Sequence, residues 1–177
     1  MKRLLTLLFT VLFSFSVIAS DYKYSIGVVG GLGLGTQFKV MMTPNFTIIE
    51  ELGYFTCPNG GTSAYAGLID NAVFAYQGKA AEGKGIELSW FAGGQVKFGY
   101  DALVGGGGVF GFGSAGGIEA NMKNAPIAFS FDFRPGYAFN FTNAWGGGWA
   151  IAHMFDWSIN LGVRYTFPSP KSAQKKK

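Results

Sequence analysis

Five charged residues in alternating, aromatic-rich stretches of the sequence could form ion pairs: Glu87, Glu119, Asp132, Arg134 and Arg164. Alternate residues of a β-strand point to the same face. We therefore predict that these two basic and three acidic side chains share the polar face of neighbouring strands. Their charges nearly cancel, which favours an ion-pair network that fills a narrow interior. The alternative is a gate or selectivity ring of a small pore.

The sequence offers little for catalysis or metal binding. His153 is the single histidine, and no serine lies within four residues of it. A nucleophile needs a base within hydrogen-bond reach, so we expect no catalytic residue and no enzymatic activity. Cys57, the single cysteine, is predicted to lie in a loop at 56–61. With one histidine and one cysteine, we expect no metal site and no cofactor.

The stretch Ile127–Phe141 indicates which element positions these charges. Its odd-numbered positions are apolar or proline and include five phenylalanines, whereas its even-numbered positions are small or polar. Strands of soluble sheets average only about 5 to 6 residues, but a transmembrane β-strand needs about 9–11, apolar outward and polar inward. The stretch therefore predicts a membrane barrel. A secreted lipocalin-like barrel is disfavoured, because this phenylalanine face is too continuous for a filled interior.

Composition and the chain ends agree with this class of protein. The chain has 28 glycines and 17% aromatic residues, but its 14% charged residues fall below the usual ~25%. Residues 1–20 read as a secretory signal peptide, with Lys2 and Arg3 before an apolar run and a small-residue cleavage site. Without them the formal net charge of +4 falls to +2, and no basic stripe suggests nucleic acid. We expect a barrel over 21–167 and a basic, flexible C-terminal tail over 168–177.

The alternation predicts eight strands, an even number as bacterial barrels require. In the first strand, Tyr22 and Tyr24 are predicted to face outward. The face of the third strand is ambiguous, because Glu50 and Glu51 are adjacent and one of them must point outward. Longer loops are expected at one end of the barrel, at 56–61, 101–110 and 142–155, and shorter turns at the other. The predicted strands are 22–34, 37–43, 47–55, 62–76, 86–100, 111–122, 127–141 and 156–167.

Two stretches resemble a known family. They are Gly116-Gly117-Ile118-Glu119-Ala120-Asn121 with Phe131-Asp132-Phe133-Arg134-Pro135, and the closing Gly162-Val163-Arg164-Tyr165-Thr166-Phe167. Both are similar to the C-terminal half of small porin-family outer-membrane β-barrel proteins of the OmpA/OmpX type. The resemblance implies an all-β, eight-stranded antiparallel up-and-down transmembrane β-barrel in the bacterial cell outer membrane. It also implies outer-membrane lipid and the barrel assembly machinery as partners.

We therefore expect an integral barrel with a structural or adhesion role, whose outer loops contact an unknown protein partner. A narrow channel for ions or very small solutes is the alternative, and a lipid-modifying barrel enzyme is the least favoured interpretation. Trp145 and Trp149, in the predicted loop 142–155, are the candidate contact residues. Such aromatic residues either embed at the lipid interface or meet a partner.

Overall fold

The computed structural model describes residues 22–59, 62–102, 106–144 and 148–168. They form a closed barrel of eight antiparallel strands in sequential order, in which β8 pairs with β1. The predicted all-β, up-and-down, eight-stranded architecture is confirmed. No helix among the described residues is long and apolar enough to cross a membrane. The strands are β1 Tyr22–Gly31, β2 Gly33–Met41, β3 Phe46–Asn59, β4 Thr62–Glu82, β5 Ile86–Asp101, β6 Gly107–Met122, β7 Ile127–Ala144 and β8 Gly148–Pro168.

The strands end at different heights at one end of the barrel. We call the end that carries the β2–β3, β4–β5 and β6–β7 connections the turn end, and the opposite end the loop end. The β1–β2 hairpin is short, since β1 pairs with β8 only as far as Gly31 and Asn160. β8 continues from Asn160 to Gly148 toward the loop end. Among the described residues, one side of β8 therefore has no paired strand over residues 148–159, and Cys57 of β3 bonds to Phe155 and Trp157 on that side.

The outer surface of the barrel is apolar and its interior is polar. Phe129, Phe131 and Phe133 are each 45–46% exposed, whereas Asp132 and Arg134 between and beside them are at most 1% exposed. The other strands repeat this alternation, because side chains of a strand point alternately to opposite faces. This arrangement is the inverse of a soluble barrel with an apolar core.

Two apolar clusters also occupy the interior. One lies on the β3–β6 side and contains Ile49, Val73, Ala75, Phe91 and Ala115. The other lies toward the loop end and contains Cys57, Tyr65, Ile69, Val109 and Ala138, with Phe55 and Met154 packed against it. The interior is thus filled by side chains, as an eight-stranded barrel permits.

The predicted loops at 142–155 and 56–61 are wrong in their extent. β7 reaches Ala144 and β8 begins at Gly148, so that His153 pairs with Phe139 inside a strand. The glycines and tryptophans of this stretch suggest a loop, but pairing with β7 satisfies the backbone groups on one side of it and the strand continues. β3 likewise runs to Asn59, which places Cys57 in a strand with its side chain buried.

The structure shows which way the side chains face in two segments, the start of β1 and the middle of β3. A register shift between Tyr22 and Tyr24 turns Tyr22 into the interior, where it is 7% exposed, although it was expected to face outward. In β3, Glu51 points inward and Glu50 points outward, without a bulge between them. The predicted signal peptide over 1–20 and all but the first residue of the tail predicted over 168–177 lie outside the described residues.

Candidate functional site

The interior charges form three layers along the barrel, and the middle layer is centred on Arg134. Its Nη2 donates to Glu51 Oε1 at 2.7 Å, and its Nε donates to Asp132 Oδ1 at 2.6 Å. Asn71 donates to the same Glu51 at 3.2 Å, and Asn160 donates to Asp132 at 2.9 Å. A guanidinium presents donors in a planar fork that matches two carboxylates. The middle layer therefore joins β3, β4, β7 and β8.

The second layer lies nearer the turn end and is centred on Glu119 of β6. Lys39 donates to its Oε2 at 2.7 Å, Arg164 donates to the same oxygen, and the Tyr22 hydroxyl donates to Oε1 at 2.7 Å. Lys39 also donates to Gln77 Oε1 at 2.5 Å. Glu119 and Lys39 are fully buried. This turn-end layer ties β1, β2, β4, β6 and β8 together.

Gln37 of β2 connects the two layers. Its amide nitrogen donates to Glu51, and its amide oxygen accepts from Arg164. Gly162 leaves the room for this link, because a Cβ at that position would lie 2.4 Å from Ser130 Oγ and 2.9 Å from Gln37 Oε1. The hydrogen-bonded column is therefore continuous from Glu119 to Asp132.

A third, loop-end layer is centred on Lys97 of β5 and Asp156 of β8. Lys97 forms a salt bridge with Asp156, and the Tyr65 hydroxyl donates to the same carboxylate at 3.2 Å. Nearby, Asp101 accepts from the Ala66 backbone N–H at 3.2 Å and from Asn140 at 2.5 Å. The apolar cluster around Tyr65 and Ile69 packs beside this layer.

The structure brings four of the five predicted charged residues into these layers. Asp132 and Arg134 are in the middle layer, and Glu119 and Arg164 are in the turn-end layer. Glu87 lies apart from them, because it is the second residue of β5 and sits at the rim, 3.6 Å from Lys79. Trp145 lies outside the described residues. The backbone of Trp149 belongs to β8, but its side chain is outside the description.

The rim cluster at the turn end is the exposed counterpart of the buried layers. Glu82, at the end of β4, forms salt bridges with Lys79 of β4 and with Lys123 of the β6–β7 connection. The hydrogen bonds from Lys123 and Lys79 lower the pKa of Glu82 to about 2. Exposed pairs of this kind contribute little to stability, so the buried layers are the more important ion pairs.

Several residues of the layers are absent from the charged set that the sequence suggested: Glu51, Lys39, Lys97 and Asp156. Lys39 and Lys97 follow the inward alternation of their strands, so that the same pattern could have identified them. The inward direction of the Glu51 side chain could not be read from the sequence, because the adjacent Glu50 fits the inward face equally well. Asp156 stands at the start of the predicted eighth strand, whose true start lies eight residues earlier at Gly148.

Glu50 and Asp70 form an acidic pair on the outer surface. Their side chains are hydrogen-bonded to each other across β3 and β4. On the outward face of β3, Glu50 stands midway between the aromatic residues Phe46 and Tyr54, which are 40% and 50% exposed. This pair interrupts an otherwise apolar surface.

The fold and the interior define the class of this protein. It is an eight-stranded antiparallel barrel with an apolar outer surface and an interior filled by ion pairs and apolar clusters. No family model and no curated protein matches the chain. Among solved structures, the chain is similar to a major outer membrane protein from Thermus thermophilus. The identity is 13% and the TM-score 0.47, over 84% of this chain and 100% of that chain. At this identity and score no functional argument rests on the likeness.

Proposed function

We propose that the protein is an integral barrel of the bacterial outer membrane, which does not conduct and which acts through contacts at its loop end. The apolar outer surface supports the membrane location. Exposed large apolar side chains occur on every strand, such as Leu34, Leu68 and Leu161 at 57–70% exposure. Soluble monomers rarely expose contiguous apolar patches above a few hundred Å². A bilayer is the solvent in which such a surface is stable.

The filled interior supports a structural or interaction role over a channel. The described part of the lumen contains three charged layers, which include Glu119, Arg134 and Lys97, all at most 6% exposed. Moving an ion through it would require breaking these buried pairs, and each broken pair leaves an uncompensated charge. We therefore favour a closed barrel.

The observation that carries the interaction role is the edge of β8 over residues 148–154, which has no strand partner among the described residues on the side away from β7. The Cys57 thiol donates to the Phe155 carbonyl oxygen at 3.9 Å, and the Trp157 backbone N–H bonds to the Cys57 sulfur. The backbone groups of these odd-numbered residues therefore point away from β7. Because backbone direction alternates along a strand, Ile151 and His153 present theirs to the same free edge.

An unpaired strand edge is a template for an extended polypeptide segment. Ile151 and Phe155 add exposed apolar side chains, 61% and 56% exposed, beside that edge. The proposed contact is β-strand addition at the loop end, where main-chain hydrogen bonds supply affinity and the flanking side chains supply specificity. This role places the partner surface on β8 itself, whereas the sequence suggested a loop.

The test compares two variants at one position in bacteria that display the protein. Ile151→Pro removes an edge N–H that faces away from β7, and Ile151→Ala keeps that N–H while it shortens the side chain. We expect adhesion to a protein-coated surface for the wild type and Ile151→Ala, and loss of adhesion for Ile151→Pro. Equal adhesion of all three, with equal amounts of folded barrel, would contradict the edge contact.

A further inference from the structure

A small cavity separates the middle layer from the loop-end layer. Its volume is about 20 Å³. Polar side chains of both layers and of the strands between them line it, including Glu51, Asn71, Lys97, Asp156, Ser158 and Asn160. The cavity lies between the Asn71–Glu51 contact of the middle layer and the Lys97–Asp156 pair of the loop-end layer.

The polar atoms beside this cavity point to an occupant. Asn71 is 7% exposed, and its Nδ2 donates to Glu51 while its Oδ1 has no partner among the described residues. Gln95 is 3% exposed, and both atoms of its amide lack a described partner. The β4–β5 register pairs Asn71 with Lys97 and Val73 with Gln95, so that the two amides are diagonal neighbours. Buried polar groups are normally hydrogen-bonded to protein or to ordered water.

The chemistry of the walls selects the ligand. The Lys97 ammonium would repel a cation in the cavity, and the Glu51 and Asp156 carboxylates would repel an anion. Asn71 Oδ1 requires a donor, whereas the Ser158 hydroxyl and the Lys97 ammonium can donate. A neutral molecule that both donates and accepts meets these conditions. A cavity needs about 10–15 Å³ to hold one water, so the volume of about 20 Å³ suits a water molecule.

We infer that this cavity is a binding site for ordered water, which donates to Asn71 Oδ1 and joins the middle layer to the loop-end layer. The bound water completes a hydrogen-bonded column from Glu119 to Asp156. This site does not depend on the proposed contact at the edge of β8.

The test is nuclear magnetic resonance of the isotopically labelled barrel in detergent micelles, with magnetisation transferred selectively from water. We expect transfer to the Asn71 side-chain amide with the sign of a long-lived bound water. Exchange through the nearby hydroxyl could mimic this signal, so Ser158→Ala is the first control. The signal should persist in Ser158→Ala, since the water and its acceptor remain.

A second pair of variants tests whether the signal comes from this cavity. Asn71→Leu removes the acceptor and fills the cavity, and transfer to the side-chain amide of Asn160, which also lines the cavity, should then fall by at least half. Asn121 donates to Glu119 of the turn-end layer at 3.1 Å, so Asn121→Leu makes the same change away from the cavity and should leave transfer to Asn71 unchanged. Absence of transfer to Asn71 in the wild type, or its loss in Ser158→Ala, would overturn the inference even if Asn71→Leu does not fold.

Discussion

At the scale of single residues, Arg134 is the cation at the centre of the middle layer. It is fully buried and bonds to two carboxylates from different strands, Glu51 and Asp132. Burying a charge costs free energy unless it is paired and hydrogen-bonded. The stability of the pair therefore depends on all of its members being present together.

We predict that Arg134→Met lowers the free energy of unfolding by about 3–5 kcal/mol, because it leaves Glu51 and Asp132 buried without their cation. Urea titration of the barrel folded in lipid vesicles measures this change. Adding Glu51→Gln and Asp132→Asn to the same variant should restore much of the loss. A triple variant no more stable than the single variant would contradict an electrostatic cause.

The outward acidic pair gives a prediction of opposite sign. Glu50→Leu should raise the free energy of unfolding in vesicles by up to about 2 kcal/mol, because it removes an acidic group from the lipid-facing surface. An acidic group there is unfavourable, but by less than the ~2–4 kcal/mol of a basic group. Glu51→Leu, at the adjacent position, should lower it, since Arg134 then loses its partner. The same urea titration compares both. Equal effects of the two variants would show that the facing of β3 is wrong.

At the scale of strands, alternation alone predicts the inward positions well. It identifies Asp132 and Arg134 on β7 and Arg164 on β8, because apolar and polar residues there alternate without interruption. It does not identify the facing of β3, where two adjacent glutamates fit either phase. Alternation also makes β8 too short, because a run rich in glycine and tryptophan near Gly148 suggests a loop. The strand extends to Gly148 because it pairs with β7. Neither cross-strand partner nor strand length is encoded locally.

The free edge of β8 predicts a hydrogen-exchange pattern. The amides of Ile151 and His153 should exchange rapidly, because they face the side where β1 has ended. The amides of Ala150 and Ala152 should be protected, because they face β7. Exchange measured by nuclear magnetic resonance in micelles separates the two sets. Equal protection of both sets in the isolated monomer would mean that this side of β8 is already paired.

At the scale of the whole molecule, the apolar surface predicts that the barrel folds only in detergent or lipid. Phe133→Arg, on the outward face of β7, should cost about 2–4 kcal/mol if this position lies near the bilayer midplane. Heat-modifiable migration in gels and urea titration in vesicles measure the change, with Phe133→Leu as the matched apolar control. A water-soluble, monodisperse wild-type protein without detergent would contradict a membrane location.

Conductance tests the closed interior of the whole barrel. The lumen is blocked in succession by the turn-end layer, the middle layer and the loop-end layer, and two apolar clusters fill the space beside them. We therefore predict little or no current through the wild type in planar bilayers. Arg134→Ala should also remain closed, because it disrupts one layer and leaves Glu119–Arg164 and Lys97–Asp156 in place. A large, steady conductance of the wild type would contradict the prediction of a closed barrel. A current through Arg134→Ala, with none through the wild type, would show that the middle layer is the only barrier to ions.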